Sequence, residues 1–185
     1  MNKSQKIIDI LRLIAFQIGQ EVSLHEIGCQ IHLDLRTVEK YLDLLEKAFV
    51  LKRVYGFSRN LRKEITKSSR FYFLDNGIRN SVIQNFNPLE LRNDVGQLWE
   101  NYCFIERLKR NSYLNQTANS YFWRTYDQKE IDLVEERDGQ LFGYEFKWGE
   151  AKNVNPPKLW RTTYPEASFE VINPASYHSF ICPPD

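Results

Sequence analysis

The sequence predicts a protein of helices and strands, of the α+β or α/β class. An N-terminal winged helix-turn-helix domain is expected first, followed by a small α/β domain. Three observations lead to this fold class: helical periodicity in the N-terminal part, a pair of strand-like runs after it, and a helix followed by a hairpin in the second half. An Asn-rich segment with one proline separates the halves. We therefore expect domains at residues 1–84 and 95–185, joined by a linker at 85–94.

The first domain should begin with three helices. Apolar residues recur at helical spacing over residues 4–18, and Gly19 ends that helix. Ser23 and Glu26 form a capping box that opens a second helix, and Asp34 caps a third. The third helix is expected to bury the stripe Leu35, Val38, Leu42, Leu45 and Phe49.

Strand-like runs at 50–55 and 70–74 complete the winged helix and enclose a basic ribbon. Between Leu51 and Tyr72 seven basic residues stand against Glu64 alone, so seven minus one gives +6 in a chain of net charge +1. Such clustered charge suits phosphate contacts without choice of sequence, and we expect a nucleic acid, foremost DNA, as partner. A solvated loop is the alternative. The residues predicted to bind nucleic acid here are Lys52, Arg53, Arg59, Arg62, Lys63 and Lys67.

The third helix does not favour base recognition. Over residues 34–47 it carries three basic and four acidic residues, a net charge of −1. Helices that recognise bases in the major groove usually present basic and amide side chains without so many carboxylates. A winged helix that docks a protein therefore stays open as an alternative.

The second domain is organised around a hairpin with Asp138-Gly139 at its turn, the strongest short-range hairpin signal. A two-residue turn sets Asp132 opposite Glu145 and Glu130 opposite Lys147. The same register places an apolar set on the other face of the sheet. That set consists of Ile131, Leu133, Tyr144 and Phe146.

Facing carboxylates destabilise a sheet unless a cation lies between them, and hard divalent cations prefer carboxylate oxygens. Glu100, on a helix over residues 96–110, adds a third carboxylate. We predict that Glu100, Asp132 and Glu145 hold Mg²⁺ (or Mn²⁺) and that Lys147 orients a water or stabilises charge in phosphodiester hydrolysis. The alternative is a solvated strand face with ordinary ion pairs, each contributing about 0–1 kcal/mol.

The composition excludes several other classes. No apolar run is long enough for a membrane span, and the N-terminal stretch lacks a signal-peptide core. Cys29, Cys103 and Cys182 are widely spaced and odd in number, which argues against a disulfide framework or a zinc site. A reducing, cytoplasmic location is expected.

Two sets of motifs carry a resemblance. Asp132, followed after twelve residues by Glu145-Phe146-Lys147, resembles the core of the restriction-endonuclease-like, PD-(D/E)xK superfamily. More closely, the chain resembles the C-terminal region of a family of bacterial and archaeal AAA-type ATPases, in which a winged helix precedes such a domain. The stretches that carry this second resemblance are Val38–Glu46, Tyr72–Gly77, Gly96–Asn101, Phe122–Arg124, Glu130–Asp132 and Glu145–Lys147.

The resemblance implies roles for particular residues. Glu100, Asp132, Glu145 and Lys147 match the superfamily's active-site carboxylates and lysine, and Arg124 matches a family arginine expected to contact a phosphate. The chain departs from the pattern in having no proline before Asp132. It also has no phosphate-binding loop, so the ATPase would be a domain outside this chain. Two functions follow: a Mg²⁺-dependent nuclease-like module, or a non-catalytic adaptor that binds DNA or protein for the ATPase.

Overall fold

A computed structural model describes residues 3–59, 68–150 and 154–182 as a mixed α+β fold. Its strands are β1 (Glu21–Val22), β2 (Leu51–Gly56), β3 (Ser69–Phe73), β4 (Asn119–Arg124), β5 (Glu130–Arg137), β6 (Gln140–Phe146) and β7 (Ser168–Ile172). Its α-helices are α1 (Lys3–Phe16), α2 (Leu24–Ile31), α3 (Leu35–Lys47), α4 (Asn76–Ile83), α5 (Val95–Tyr113), α6 (Lys158–Thr163) and α7 (Tyr177–Ile181). Within these residues one seven-stranded mixed sheet has the order β1-β3-β2-β4-β5-β6-β7.

The helix caps predicted in the first half are present. The Ser23 side chain accepts from the Glu26 N–H (3.3 Å), and the Asp34 carboxylate accepts from the Thr37 N–H (2.9 Å). Each cap satisfies a backbone donor that has no partner inside its helix, which fixes where α2 and α3 begin.

The predicted stripe of α3 is only partly correct. Val38, Leu42 and Leu45 are buried in the core of the three N-terminal helices. Leu35 is exposed in the first turn, and Phe49 lies beyond the end of α3 with φ +57° and is 76% exposed. The helix therefore ends too early to carry Phe49 round to the core.

The sheet crosses from one half of the chain to the other. β1 and β2 flank β3 in antiparallel pairs, and β2 then pairs in parallel with β4, where Tyr55 lies beside Tyr121 and Gly56 beside Phe122. The segment at 85–94 contains a short 3₁₀ helix, Leu89–Leu91. The two segments expected as separate domains thus share one sheet, while the border at 85–94 stays a prediction.

The predicted hairpin register is confirmed around its turn. β5 and β6 pair from Arg137 with Gln140 as far as Leu133 with Tyr144. Residues 138 and 139 both have positive φ, +51° and +74°, as a type I′ turn requires.

Beyond Leu133 and Tyr144 the two strands separate, which corrects part of the prediction. Asp132 does not pair with Glu145, nor Glu130 with Lys147, because β6 continues along β7 while β5 continues along β4. The strands fork at the point where the predicted site begins.

A bulge in β5 causes a second correction. Tyr121 of β4 pairs with Val134 and Trp123 pairs with Ile131, so one residue of β4 faces two residues of β5. Because the extra residue reverses the alternation of faces, Ile131 packs in the cluster of Trp123, and not with Leu133 as predicted.

Among the described residues, none of the helices combines the length and the apolar character that a membrane span requires.

Candidate active site

A cleft of about 580 Å³ opens where β5 and β6 separate. Glu100 reaches it from α5, Asp132 from β5, and Glu145 and Lys147 from the end of β6. All four side chains predicted from the sequence therefore line one cleft. The turn between α1 and β1 forms another part of its wall, so both halves of the chain contribute to it.

Glu100 is held by a hydrogen bond and by close packing. The Tyr72 hydroxyl donates to its Oε1 at 2.7 Å. Gly19, with φ +71°, lies so near that a Cβ at this position would be 2.7 Å from the same oxygen. A glycine that ends α1 in sequence thus also provides the room for a carboxylate of the cleft.

Asp132 lies at the bulge and is buried, with 6% of its surface exposed. Its Oδ2 accepts a hydrogen bond of 2.8 Å from the Phe146 N–H. This bond replaces the backbone pairing lost at the fork and orients the carboxylate. β-Bulges commonly re-aim side chains beside active sites.

Lys147 is paired with Glu145. Its Nζ donates to Glu145 Oε1 at 2.6 Å, and the lysine remains 45% exposed while the carboxylate is mostly covered. Burial lowers the pKa of Lys147, but the bond to Glu145 and the nearby carboxylates outweigh it, so this pKa is raised and the lysine is charged.

Two carboxylates of the cleft, Glu100 and Asp132, resist ionisation. Burial raises the pKa of Glu100 to about 7, against the opposing effect of Arg70. Burial also raises the pKa of Asp132 well above its usual range, and the charges of Glu100 and Glu145 add to that effect. Both directions mean that additional positive charge in the cleft would favour the ionised forms.

Arg70 is a member of the cleft that sequence reasoning missed. It is one of the seven basic residues between Leu51 and Tyr72, but it is only 2% exposed and its Nη2 donates to Glu130 at 2.6 Å. Its Nη1 lies 3.7 Å from Glu100 Oε1 and 4.0 Å from Asp132 Oδ1. The signal was available, because one arginine in a run of aromatic strand residues is expected to be buried with acidic partners.

Arg124 also lines the cleft, where its Nη1 lies 2.9 Å from Oε1 of Glu21. This ion pair joins β4 to β1. The predicted contact of Arg124 with a phosphate stays a prediction.

Apart from Arg70, the described basic residues of the ribbon do not line the cleft. Lys52 pairs with Glu46 at 3.3 Å, and Arg59 pairs with Glu136 at 3.1 Å. Arg53 donates to the Ser69 hydroxyl, and its guanidinium lies 5.0 Å from the Tyr55 ring centroid. The other predicted residues, Arg62, Lys63 and Lys67, lie outside the described residues.

The donor atoms in the cleft suit a hard cation such as Mg²⁺. Glu100, Asp132 and Glu145 supply carboxylate oxygens, which are the ligands that Mg²⁺ prefers. Within the described residues, however, no three acidic, histidine or cysteine side chains are arranged to hold a metal ion. The donor atoms are therefore of the kind that suits Mg²⁺. Two of them, however, lie beside the guanidinium of Arg70, at 3.7 Å for Glu100 and 4.0 Å for Asp132.

Two families of unknown function match successive parts of the chain. Residues 1–89 match the family described as "Domain of unknown function (DUF8612)". Residues 95–173 match "Domain of unknown function (DUF4143)". No solved structure matched the chain significantly.

Curated relatives are longer than this chain. Uncharacterized proteins of Mycobacterium tuberculosis and Mycobacterium bovis are each 28% identical over 137 residues, which is 73% of this chain and 30% of theirs. An uncharacterized protein of Haemophilus influenzae is 25% identical over 71% of this chain and 31% of its own length. The chain thus spans about three-tenths of the length of these relatives.

Proposed function

We propose that this chain is the nuclease-like part of a longer nucleic-acid-processing protein, with a winged helix-turn-helix followed by a restriction-endonuclease-like domain. The observation that carries the proposal is the meeting of Glu100, Asp132, Glu145 and Lys147 in one cleft. They come from three separate elements, and the backbone fork and the bulge both direct side chains into that cleft. Carboxylates beside a charged lysine are suited to phosphodiester hydrolysis.

Each residue has a role that follows from its contacts. A bound Mg²⁺ or Mn²⁺ would supply a Lewis acid and lower the pKa of a water. Glu100, Asp132 and Glu145 would hold it, with the Phe146 N–H orienting Asp132 and the Tyr72 hydroxyl orienting Glu100. Charged Lys147, held by Glu145, would donate to the attacking water or to a phosphate oxygen.

The winged helix would hold the nucleic acid, preferably DNA, through its phosphates. Despite their ion pairs, the side chains of Lys52 and Arg59 remain about half exposed, and Arg53 is partly exposed. The sequence adds three further basic residues, Arg62, Lys63 and Lys67. Phosphate contacts of this kind give affinity without choice of sequence. Arg124, beside the cleft, would contact a phosphate near the bond to be cleaved.

An AAA-type ATPase domain is the proposed companion. The DUF4143 family is usually found with an AAA ATPase. The matched relatives are more than three times as long as the part that aligns, which leaves ample length for such a domain.

Cleavage of nucleic acid tests the proposal. The purified protein with Mg²⁺ or Mn²⁺ should cleave plasmid DNA, and Asp132→Asn or Lys147→Ala should reduce the rate at least a hundredfold by removing a metal donor or a charge at the phosphate. Single- and double-stranded DNA and RNA of one sequence should be compared in the same assay.

Glu106→Ala supplies a matched control, because Glu106 lies on the same helix as Glu100 but pairs with Lys109 away from the cleft. This variant should cleave at the wild-type rate. Cleavage that survives both Asp132→Asn and Lys147→Ala would locate the activity outside this cleft.

The alternative is a non-catalytic adaptor that binds DNA or protein for the ATPase. It is favoured by one observation, the guanidinium of Arg70 beside two of the carboxylates that a metal would need. An adaptor would bind DNA with unchanged affinity in Asp132→Asn, and no metal would bind to the wild-type cleft in calorimetry.

The basic ribbon makes a separate prediction. Replacing Arg59, Arg62 and Lys63 with Ala should weaken DNA binding and reduce the slope of log K against log salt by about 2–3, since fewer counterions are released. Fluorescence anisotropy at several salt concentrations measures both quantities.

The charge-matched control replaces Arg12, Lys47 and Lys109, each of which forms an ion pair within its own helix. This variant loses three positive charges as well, but outside the ribbon. An equal loss of affinity in both triple variants would show that total charge, not the ribbon, determines binding.

A further inference from the structure

Arg70 is a buried cation that lies beside three acidic side chains of the cleft, Glu100, Glu130 and Asp132. It is almost fully buried, and its guanidinium lies 4.5 Å from the centroid of the Phe122 ring. Its short bond is to Glu130, which is not among the predicted metal donors. Burying an arginine this completely is costly unless acidic partners surround it.

Arg70 interacts with the predicted metal donors Glu100 and Asp132 through its charge and not through hydrogen bonds. Its Nη1 lies 3.7 Å from Glu100 Oε1 and 4.0 Å from Asp132 Oδ1, both beyond hydrogen-bond length. Its Nε has no hydrogen-bond partner among the described residues. Nη1 of Arg70 therefore lies near the carboxylates of both Glu100 and Asp132 but donates a hydrogen bond to neither.

The acidic side chains that line the cleft outnumber the basic ones. Its acidic side chains are Glu21, Glu100, Glu130, Asp132 and Glu145, and its basic ones are Arg70, Arg124 and Lys147. With all of them ionised, as a bound cation would favour, five minus three leaves a net charge of −2. Because Glu21 pairs with Arg124 and Glu145 with Lys147, this surplus belongs to the three carboxylates around Arg70. It equals the charge of one divalent cation.

We propose that Arg70 competes with a single divalent cation for Glu100 and Asp132 and thereby sets the metal affinity of the cleft. Without the metal, Nη1 partly neutralises these two carboxylates. When a metal binds, the two carboxylates turn to it and Arg70 remains attached to Glu130 and to the Phe122 ring. The inference rests on the proposed metal-dependent function, and it adds a positioning residue to it.

The test is the affinity for Mn²⁺ of the purified chain, measured by isothermal titration calorimetry. Arg70→Gln should bind Mn²⁺ at least tenfold more tightly than wild type, with one ion per chain. Arg70→Lys, which keeps the charge, should stay within about threefold of wild type. Arg70→Met is the second neutral variant, because its flexible side chain fills the space beside Phe122 if glutamine does not fold there.

Arg107→Gln is the matched control. Arg107 is an equally buried arginine that forms a two-bond pair with Glu135 (2.9 and 2.8 Å) outside the cleft. Its loss should destabilise the fold and leave the Mn²⁺ affinity unchanged. An Mn²⁺ affinity in Arg70→Gln equal to or weaker than that of wild type would overturn the inference.

The wild-type chain gives an independent measurement. In an NMR titration with Mg²⁺, the side-chain Nε–H signal of Arg70 should shift along with the backbone signal of Asp132, while the Nε–H signal of Arg107 stays in place. An Arg70 signal that does not move while Asp132 shifts would also overturn the inference. Mn²⁺ binding without any cleavage of nucleic acid would instead contradict the proposed hydrolysis and leave the role of Arg70 intact.

Discussion

Glu100 shows how tightly a single residue of the cleft is fitted. Its carboxylate is bounded by the Tyr72 hydroxyl on one side and by the backbone of Gly19 on another. Gly19 lies in the turn after α1, so the position of this carboxylate depends on the N-terminal half of the chain. Glu100 is therefore the residue through which the N-terminal helices can influence the chemistry of the cleft.

Gly19→Ala should destabilise the protein by about 2–4 kcal/mol. About 1–2 kcal/mol comes from a side chain at positive φ, and the remainder from a Cβ placed 2.7 Å from Glu100 Oε1. Urea unfolding of the wild type and the variant measures the difference.

Gly139→Ala isolates the backbone contribution, because Gly139 has a similar φ of +74° with no atom within 4 Å of an added Cβ. It should cost about 1–2 kcal/mol. The excess cost of Gly19→Ala should disappear in a Glu100→Ala background. Equal costs at the two glycines would mean that the carboxylate moves aside freely.

Single residues differ in how far the sequence predicts them. Asp132, Glu145 and Lys147 could be expected close together because the hairpin turn between them is a local signal, although the cross-strand pairing predicted for them does not form. For Arg70 the aromatic neighbours in the strand indicate burial but not the cleft, because its partners Glu100 and Glu130 are distant in sequence and meet it only in the folded sheet. A count of charges along the ribbon treats a buried arginine and a solvated one alike.

Among the elements, α5 is fixed at its beginning by a cluster of charges. Asp94, which precedes it, accepts two bonds of 2.8 Å from Arg92 and another from Arg79. Arg79 of α4 also donates to the Ala15 carbonyl at the end of α1. Three helices therefore meet at one carboxylate, and the helix that carries Glu100 is positioned by them.

Asp94→Asn should lower the free energy of unfolding by about 1–3 kcal/mol at pH 7, because charge-assisted hydrogen bonds are lost. The bonds from Arg92, and then those from Arg79, hold the pKa of Asp94 well below its usual range. A depressed carboxyl pKa contributes stability above the usual value of about 4 and loses it as the pH falls toward the folded-state pKa. The difference between variant and wild type should therefore shrink below about pH 4.

Asp43→Asn is the control, since Asp43 pairs with Lys47 on an exposed face of α3. Chemical unfolding at pH 7, 5 and 3 should give nearly the same stability for this variant and the wild type. A constant difference for Asp94→Asn across these pH values would contradict the assigned charge interaction.

Elements were predictable where local chemistry determines them. The caps of α2 and α3 and the Asp138-Gly139 turn follow from side chains within a few residues of one another. The bulge in β5 and the parallel pairing of β2 with β4 depend on strands far apart in sequence. No local pattern in β5 marks the extra residue, so the face occupied by Ile131 was assigned wrongly.

At the scale of the whole molecule, β3 joins two cores. Phe71 and Phe73 pack among the N-terminal helices, whereas Tyr72 points to the opposite face and stacks on Phe104 of α5 at 4.2 Å between ring centroids. The Asn101 side chain adds hydrogen bonds of 2.8 Å to both the N–H and the carbonyl of Phe73. Packing in one half is thus linked through β3 to packing in the other.

This coupling predicts that the described parts of the chain unfold as one cooperative unit. Ile14→Ala removes a fully buried side chain from the N-terminal core and should cost about 2–5 kcal/mol. All four tryptophans lie after residue 98, so their fluorescence reports on the C-terminal half alone. In urea the fluorescence midpoint of Ile14→Ala should fall together with the midpoint from far-UV circular dichroism, because the shared sheet links the two cores. A fluorescence midpoint equal to that of the wild type, with an earlier change in circular dichroism, would mean that the halves unfold independently and that β3 does not couple the N-terminal helices to the cleft.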